Sequence, residues 1–471
     1  MKKNNLLKNS GVQSLIASLL CILVGLLVGY VALLVINAEG AWKAITTICK
    51  NFMYYPSKPA QIKYLGNTLV KTAPLLMCAL SVLFANKAGL FNIGAAGQYV
   101  VGAGASLYMA LALNLPWWAC LLGAILAGAL LVINAEGAWD AICNIVKNFM
   151  YYPKPAQQLK YFGNTLVKTA PLLMCSLSVL FANKTGLFNI GVAGQYVVGA
   201  GTCLYMALGL QLPWWMCLLG AVIAAALLGA LSGFLKTKFN VNEVISCIMF
   251  NWISLYCVNM LLSKVKETTS PYTLGLKANA PQALIPGMGL GEFFTKNQYV
   301  TIAIPLAVIV SIAIWVLLEK TKLGYELKAT GNNKNAAKYA GMKENRNIIL
   351  TMAIAGGLAG LGAAMLYLTG YEQWSCSQAN IPAMGFNGIA AAFLGGLHPV
   401  GSIFSSFFIQ HITAGGAYVD KTLYCAQVSD FISSLIIYLC GFVLFMKTAM
   451  NRGLDKADEK RKAKKNEGGK Q

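Results

Sequence analysis

Residues 214–235 read WWMCLLGAVIAAALLGALSGFL, 22 positions without a single charge. At about 1.5 Å per helical residue such a stretch reaches roughly 33 Å, enough to cross a hydrocarbon core of about 30 Å. An open strand in lipid leaves its backbone groups unpaired, so the stretch must be a helix. Working outward from it, further apolar runs cover 14–36, 68–86, 94–113, 117–133, 165–182, 190–212, 243–262, 299–318, 348–370 and 424–446. The 471 residues therefore read as one all-α polytopic membrane protein and not as three soluble domains. Composition agrees. The chain is 57% hydrophobic and 11% charged with a mean hydropathy of +0.60, which excludes a soluble enzyme.

The net charge of +21, from 37 Lys plus Arg against 16 Asp plus Glu, would point to nucleic acid in a soluble protein. Here the basic residues gather at the ends and in the loop 319–347, so topology explains them and no nucleic-acid partner is expected. Lys2, Lys3 and Lys8 precede the run 14–36, which lacks a small-x-small cleavage site. A retained first span with a cytoplasmic N-terminus follows. The thirteen cysteines include Cys175, Cys203, Cys217 and Cys247 in apolar runs, and none stands in C-x-x-C spacing. They read as small, reduced core residues. His398 and His411 are the only histidines, so neither a metal site nor a His-based catalytic triad is expected. No G-x-x-x-x-G-K-[ST] cradle occurs, so ATP hydrolysis would have to be supplied by another chain. No cofactor is called for.

Residues 386–417 are apolar but cut by Gly395, Gly396, His398, Pro399 and Gly401. Two half-helices or a re-entrant hairpin fit better than one straight span.

A long repeat runs through the first half of the chain. NAEGAWKAITTICKNFMYYP from Asn37 returns as NAEGAWDAICNIVKNFMYYP from Asn134, and the likeness continues past Gln98 and Gln195, with a one-residue slip near Ser57. Asn92 and Asn189, like Trp117 and Trp214, stand 97 residues apart. The chain thus divides into 1–36 (tail and first span), 37–133 and 134–235 (two copies of one unit), 236–446 (the remaining membrane core) and a basic cytoplasmic tail, 447–471. Each copy holds three apolar runs. Counting both copies as inserted puts Lys236 and Lys238 outside, whereas counting one puts them inside together with the basic loop 319–347. The positive-inside rule favours one working copy. The other contains a non-spanning run, lies beside the bundle, or is an artefact of assembling the sequence.

Several residues stand out chemically. GLFNIGVAGQYVVGAG, 186–201, sets Asn189 and Gln195 among glycines at the start of a span, where a broken helix frees polar groups to line a path. Small-residue packing glued by amides is the competing reading. Glu243 opens the run VISCIMFNWISLY. It is either a substrate or proton ligand or, with Lys236 and Lys238 just before it, one half of an interfacial ion pair. Asn251 reads as an interhelical hydrogen bond. In the loop 319–347, Asn335 can cap the helix AAKYAGM and Gly341 can end it.

GLFNIGVAGQ, then KFNVNEVISCIMFNWISLY from Lys238, then LGYELKATGNNKNAAKYAGM from Leu323 resemble, in this order, the permease subunits of bacterial ABC importers for nucleosides and simple sugars, within the branched-chain amino acid and ribose permease superfamily. The duplicated unit departs from that pattern. The resemblance implies a type II ABC importer permease-like helical bundle, non-catalytic, in the bacterial plasma membrane; the basic flanks put both termini in the cytoplasm if 386–417 is a hairpin. Its implied partners are a second permease subunit, a cytoplasmic ABC ATPase and an extracellular substrate-binding lipoprotein; membrane lipid is a further expected partner on the charge of the tail 447–471, for which a simple topological anchor is the default reading. By the same motifs Asn189, Gly191 and Gln195 fall beside the substrate path, Asn242 and Glu243 begin the helix 243–262 and count toward that path, and Gly331, Asn332, Asn335, Ala336, Ala337, Tyr339 and Gly341 fall on the loop that meets the ATPase. The rival class is an ion-coupled secondary transporter, which needs acids in mid-span.

Overall fold

The computed structural model describes residues 10–36, 38–87, 95–111, 113–116, 118–119 and 138–418. The run 117–133 apart from those two positions, Asn92, the run 424–446 and the tail 447–471 lie outside the described residues. The chain divides into two units, Met1–Ile133 and Asn134–Gln471, with the division at the start of the second repeat copy.

In the first unit, helices α1 (Ser10–Ile36), α2 (Ala38–Lys50), α3 (Lys58–Lys87) and α4 (Ala95–Leu111) follow one another. On α3, Leu75, Leu76 and Met77 are 70%, 57% and 66% exposed.

The second unit runs α5 (Ala138–Lys147), α6 (Pro155–Lys184), α7 (Val192–Leu208), α8 (Trp214–Phe239), α9 (Glu243–Leu262), α10 (Ala303–Lys320), α11 (Lys322–Asn332), α12 (Lys334–Tyr339), α13 (Glu344–Tyr367), α14 (Ala383–Leu394) and α15 (Pro399–Gly415). Among the described residues, α6, α8, α9, α10 and α13 are long and apolar enough to cross a membrane. Helix α6 begins ten residues before the apolar run 165–182. Lys160 and Asn164 lower the local hydropathy, but Asn297 Nδ2 donates to the Lys160 carbonyl at 2.9 Å and to Asn164 Oδ1 at 2.8 Å, so that turn is held by partners and not by lipid. On α6, Leu172, Leu173 and Met174, which match Leu75, Leu76 and Met77 of the first copy, are 1%, 2% and 0% exposed.

Helix α13 is the centre of this unit and packs on α6, α7 and α8. Lipid gives two helices no hydrophobic reason to associate, so close backbone approach through small residues must supply dispersion energy instead. The segment GGLAGLGAA, 356–364, serves this purpose: a Cβ on Gly360 would overlap the Ala221 carbonyl of α8, and one on Gly199 of α7 would come within 2.6 Å of the Gly360 Cα. The run 386–417 forms two helices broken at Gly395–His398, with Gly396 at φ +65°. Ser405 Oγ donates to the Ala391 carbonyl at 2.6 Å, so the two helices fold back on each other as a hairpin. Cysteines 175, 203, 217 and 247 are free and buried.

Candidate functional site

The segment between α6 and α7 does not continue the helix. Gly186 turns at φ +75°, and the chain then enters the bundle before α7 starts. The depth of that start follows from its partners. Gly194 N–H donates to Asn251 Oδ1 at 2.7 Å, and Asn251 Nδ2 donates to the Ile190 carbonyl at 3.1 Å. Asn251 stands eight residues into α9, about 12 Å from the start of that helix. Non-helical backbone is tolerated at such a depth only when protein buries it. Asn251 is thus the interhelical hydrogen bond read from the sequence.

Asn189 and Gln195 meet in this layer and bond reciprocally. Asn189 Nδ2 donates to Gln195 Oε1 at 2.8 Å, and Gln195 Nε2 donates to Asn189 Oδ1 at 3.2 Å. Asn189 Nδ2 also donates to Ser178 Oγ on α6 at 3.0 Å. Both amides are buried, so in this conformation they latch α6 to the start of α7. Ser178 carries no sequence signal for that partnership; only folding brings it to Asn189. Gly191 completes the layer, because a Cβ there would stand 2.9 Å from Cys247 Sγ on α9.

Asn242 and Glu243 stand at the start of α9, bonded to neighbours other than the amide pair. Asn242 Oδ1 accepts from the Val244 N–H at 2.9 Å as the N-cap. Glu243 pairs with Lys236 at 2.5 Å, which favours the ion-pair reading over the ligand reading.

The loop 319–347 holds two helices where the sequence pointed to one. Asn335 is not the cap. Asn333 Oδ1 accepts from the Ala336 N–H at 3.0 Å, while Asn335 lies inside α12 with its side chain exposed. Both asparagines suit a cap by type, and the extended backbone of Asn333 (φ −154°, ψ 101°) decides between them. Gly341 ends α12 as expected. At φ +79° it lets Met342 N–H reach the Ala337 carbonyl and its own N–H reach that of Lys338, each at 3.0 Å, which closes a Schellman motif. Helix α11 is clamped through its middle and C-terminal half: Lys328 pairs with Glu319 at 3.0 Å, Arg346 with Glu326 at 3.5 Å, and Asn347 Nδ2 donates to Thr330 Oγ1 at 2.9 Å. Ala337 is buried and anchors α12, whereas Asn332, Asn335, Ala336 and Tyr339 are exposed, Tyr339 at 92%.

These two regions touch backbone to backbone. A Cβ on Gly186 would lie 2.5 Å from the Gly331 Cα and carbonyl oxygen, and one on Gly331 would overlap the Thr185 carbonyl. The last turn of α11 therefore rests directly on the segment leading to Asn189. Sequence reasoning missed this contact because 186 and 331 are separated by four apolar runs.

Residues 64–137 and 161–441 match the model of the family described as branched-chain amino acid transport system / permease component. Both stretches begin at equivalent places in the repeat, Tyr64 and Tyr161. The guanosine ABC transporter permease protein NupP of Bacillus subtilis is 31% identical over 69% of this chain and 92% of its own length. The nucleoside ABC transporter permease protein NupB of Lactococcus lactis is 30% identical over 59% of this chain and 78% of its own. The glucose ABC transporter permease protein TsgB13 of Haloferax volcanii is 29% identical over 59% and 75%. No solved structure matches significantly. With helices that span a bilayer and a family match over most of its length, the chain belongs to this permease family and is a multi-pass transmembrane subunit of an ABC importer.

Proposed function

We propose that the chain forms one half of the translocation path of an importer for nucleosides, with simple sugars as the next substrate class. It sits in the bacterial plasma membrane with both termini cytoplasmic, beside a second permease, and receives substrate from an extracellular binding lipoprotein. A cytoplasmic ATPase docks on the exposed face of α12. The backbone contact between Gly331 and Gly186 carries this reading, because it gives a push on α11 a rigid route to the latch of Asn189 and Gln195 beside the substrate path. Asn242 and Glu243 cap and anchor α9, the helix that Asn251 ties to the start of α7.

The second copy, 134–235, is the working one, and 37–133 is dispensable. The burial of Leu172, Leu173 and Met174 within the unit Asn134–Gln471 supports this.

An ion-coupled transporter fits less well. Among the described residues of the candidate spans, the carboxylates are Glu243, Glu319 and Glu344, all at helix ends and none in mid-span.

The test is uptake of labelled adenosine and ribose into vesicles carrying the assembled importer. Uptake should require ATP and survive an ionophore. Uptake that persists without the ATPase and collapses with the ionophore would hand the case to the secondary transporter.

A further inference from the structure

Helix α9 turns one face inward, where Asn251 ties it to α7, and the opposite face outward. Ile245, Met249, Trp252, Ile253, Tyr256 and Met260 follow at helical spacing on that outer face, each between 41% and 54% exposed. Aliphatic members of the stripe suit lipid, but its aromatic members are at the wrong depth. Trp and Tyr concentrate at the two membrane interfaces, where the ring sits in the apolar layer and the polar tip reaches water. Trp252 stands nine residues into α9, roughly 13 Å from the helix start and near the middle of a core of about 30 Å. Tyr256 stands one turn further. Among the described residues neither the indole N–H nor the phenol hydroxyl has a hydrogen-bond acceptor, and acyl chains offer none. The two rings are stacked, with centroids 6.3 Å apart and planes 25° from parallel. Trp252 also adjoins Asn251, so the pair lies level with the start of α7 and the amide latch.

We propose that Trp252 and Tyr256 form an aromatic platform on which the base of a nucleoside stacks while it crosses the membrane, with the indole N–H and the phenol hydroxyl at its rim left to donate to the ribose oxygens. This rests on the proposed nucleoside path shared with a second permease. A base carrying a ribose suits what this face lacks: the planar base covers aromatic surface and the ribose oxygens supply acceptors in mid-membrane. A free sugar has no π-face to offer and would gain little from the platform.

The complete importer in vesicles, with its second permease, ATPase and binding protein, tests the assignment by photolabelling with 8-azidoadenosine and by uptake. Label should map to α9 around 252–256 and be displaced by adenosine but not by ribose. Trp252→Ala should cut both labelling and the rate of adenosine uptake by about tenfold or more, the usual cost of losing one base–aromatic stack. Trp252→Phe, which keeps a ring, should restore most of it. Adenosine uptake unaltered by Trp252→Ala, or label found only elsewhere, overturns the platform. Loss of the second permease from the Trp252→Ala complex also overturns it, since the face is then a subunit interface. Failure of the nucleoside reading itself looks different: the wild-type importer would then move ribose and leave adenosine outside.

Discussion

Replacing Gly186 with alanine asks whether ATP energy passes through the contact with Gly331. The added Cβ would stand 2.5 Å from the Gly331 Cα and oxygen, whereas carbon contacts settle at about 3.5–4 Å. The two segments must therefore part by about 1 Å, and overpacking of that kind costs about 1–3 kcal/mol. Gly186 also sits at φ +75°, a left-handed conformation that costs a residue with a Cβ about 1–2 kcal/mol. Together about 2–5 kcal/mol weigh against the closed contact, which lowers its population at least about 30-fold at roughly 1.4 kcal/mol per decade. Gly289 provides the control. It has φ +81° but open space around its Cβ position, so Gly289→Ala carries the backbone strain without the collision. In the reconstituted importer, Gly186→Ala should abolish stimulation of ATP hydrolysis by substrate-loaded binding protein, while insertion and basal hydrolysis persist, and Gly289→Ala should keep stimulation. If Gly186→Ala is stimulated like the wild type, motion does not pass through this contact and the coupling argument fails.

Three further outcomes follow from the same geometry. Deleting 37–133 should leave a chain that inserts, assembles and transports at least as well as full length, and Asn189→Ala should harm uptake far more than Asn92→Ala; a deletion without uptake, or the reverse order of the two alanines, makes the first copy functional. Asn333→Ala should destabilise α12 by about 1 kcal/mol through loss of its cap, whereas Asn335→Ala should cost a few tenths, measurable as faster amide exchange of Ala336 and Ala337 in the first variant only. Gly341→Val puts a β-branched residue at φ +79°, so the Schellman end of α12 should unravel; uptake and stimulated hydrolysis should fall together, and unchanged values for both would remove α12 from the coupling route.

The spans were legible because lipid imposes one requirement on every residue it touches, and an uncharged run of about twenty residues is its local signature. The hairpin at 395–398 showed through its glycines and Pro399, the end of α12 through Gly341, and the Glu243 pair through the lysines five and seven residues before it; all are decided within a short stretch of sequence. Asn333 against Asn335 was not legible, since two equally suitable caps differ only in the backbone angles the fold assigns them. The partners of Asn189, the contact of Gly186 with Gly331 and the early start of α6 at Pro155 depend on side chains and turns brought from distant spans. The two copies of the repeat make the limit plainest. Leu-Leu-Met at 75–77 and at 172–174 is the same sequence in the same helix type, yet one is exposed and the other buried. Identical residues carry identical propensities, so what buries the second set is the packing of its own unit: α13 and the hairpin helices α14 and α15 close on α6, and only the assembled bundle brings those faces together.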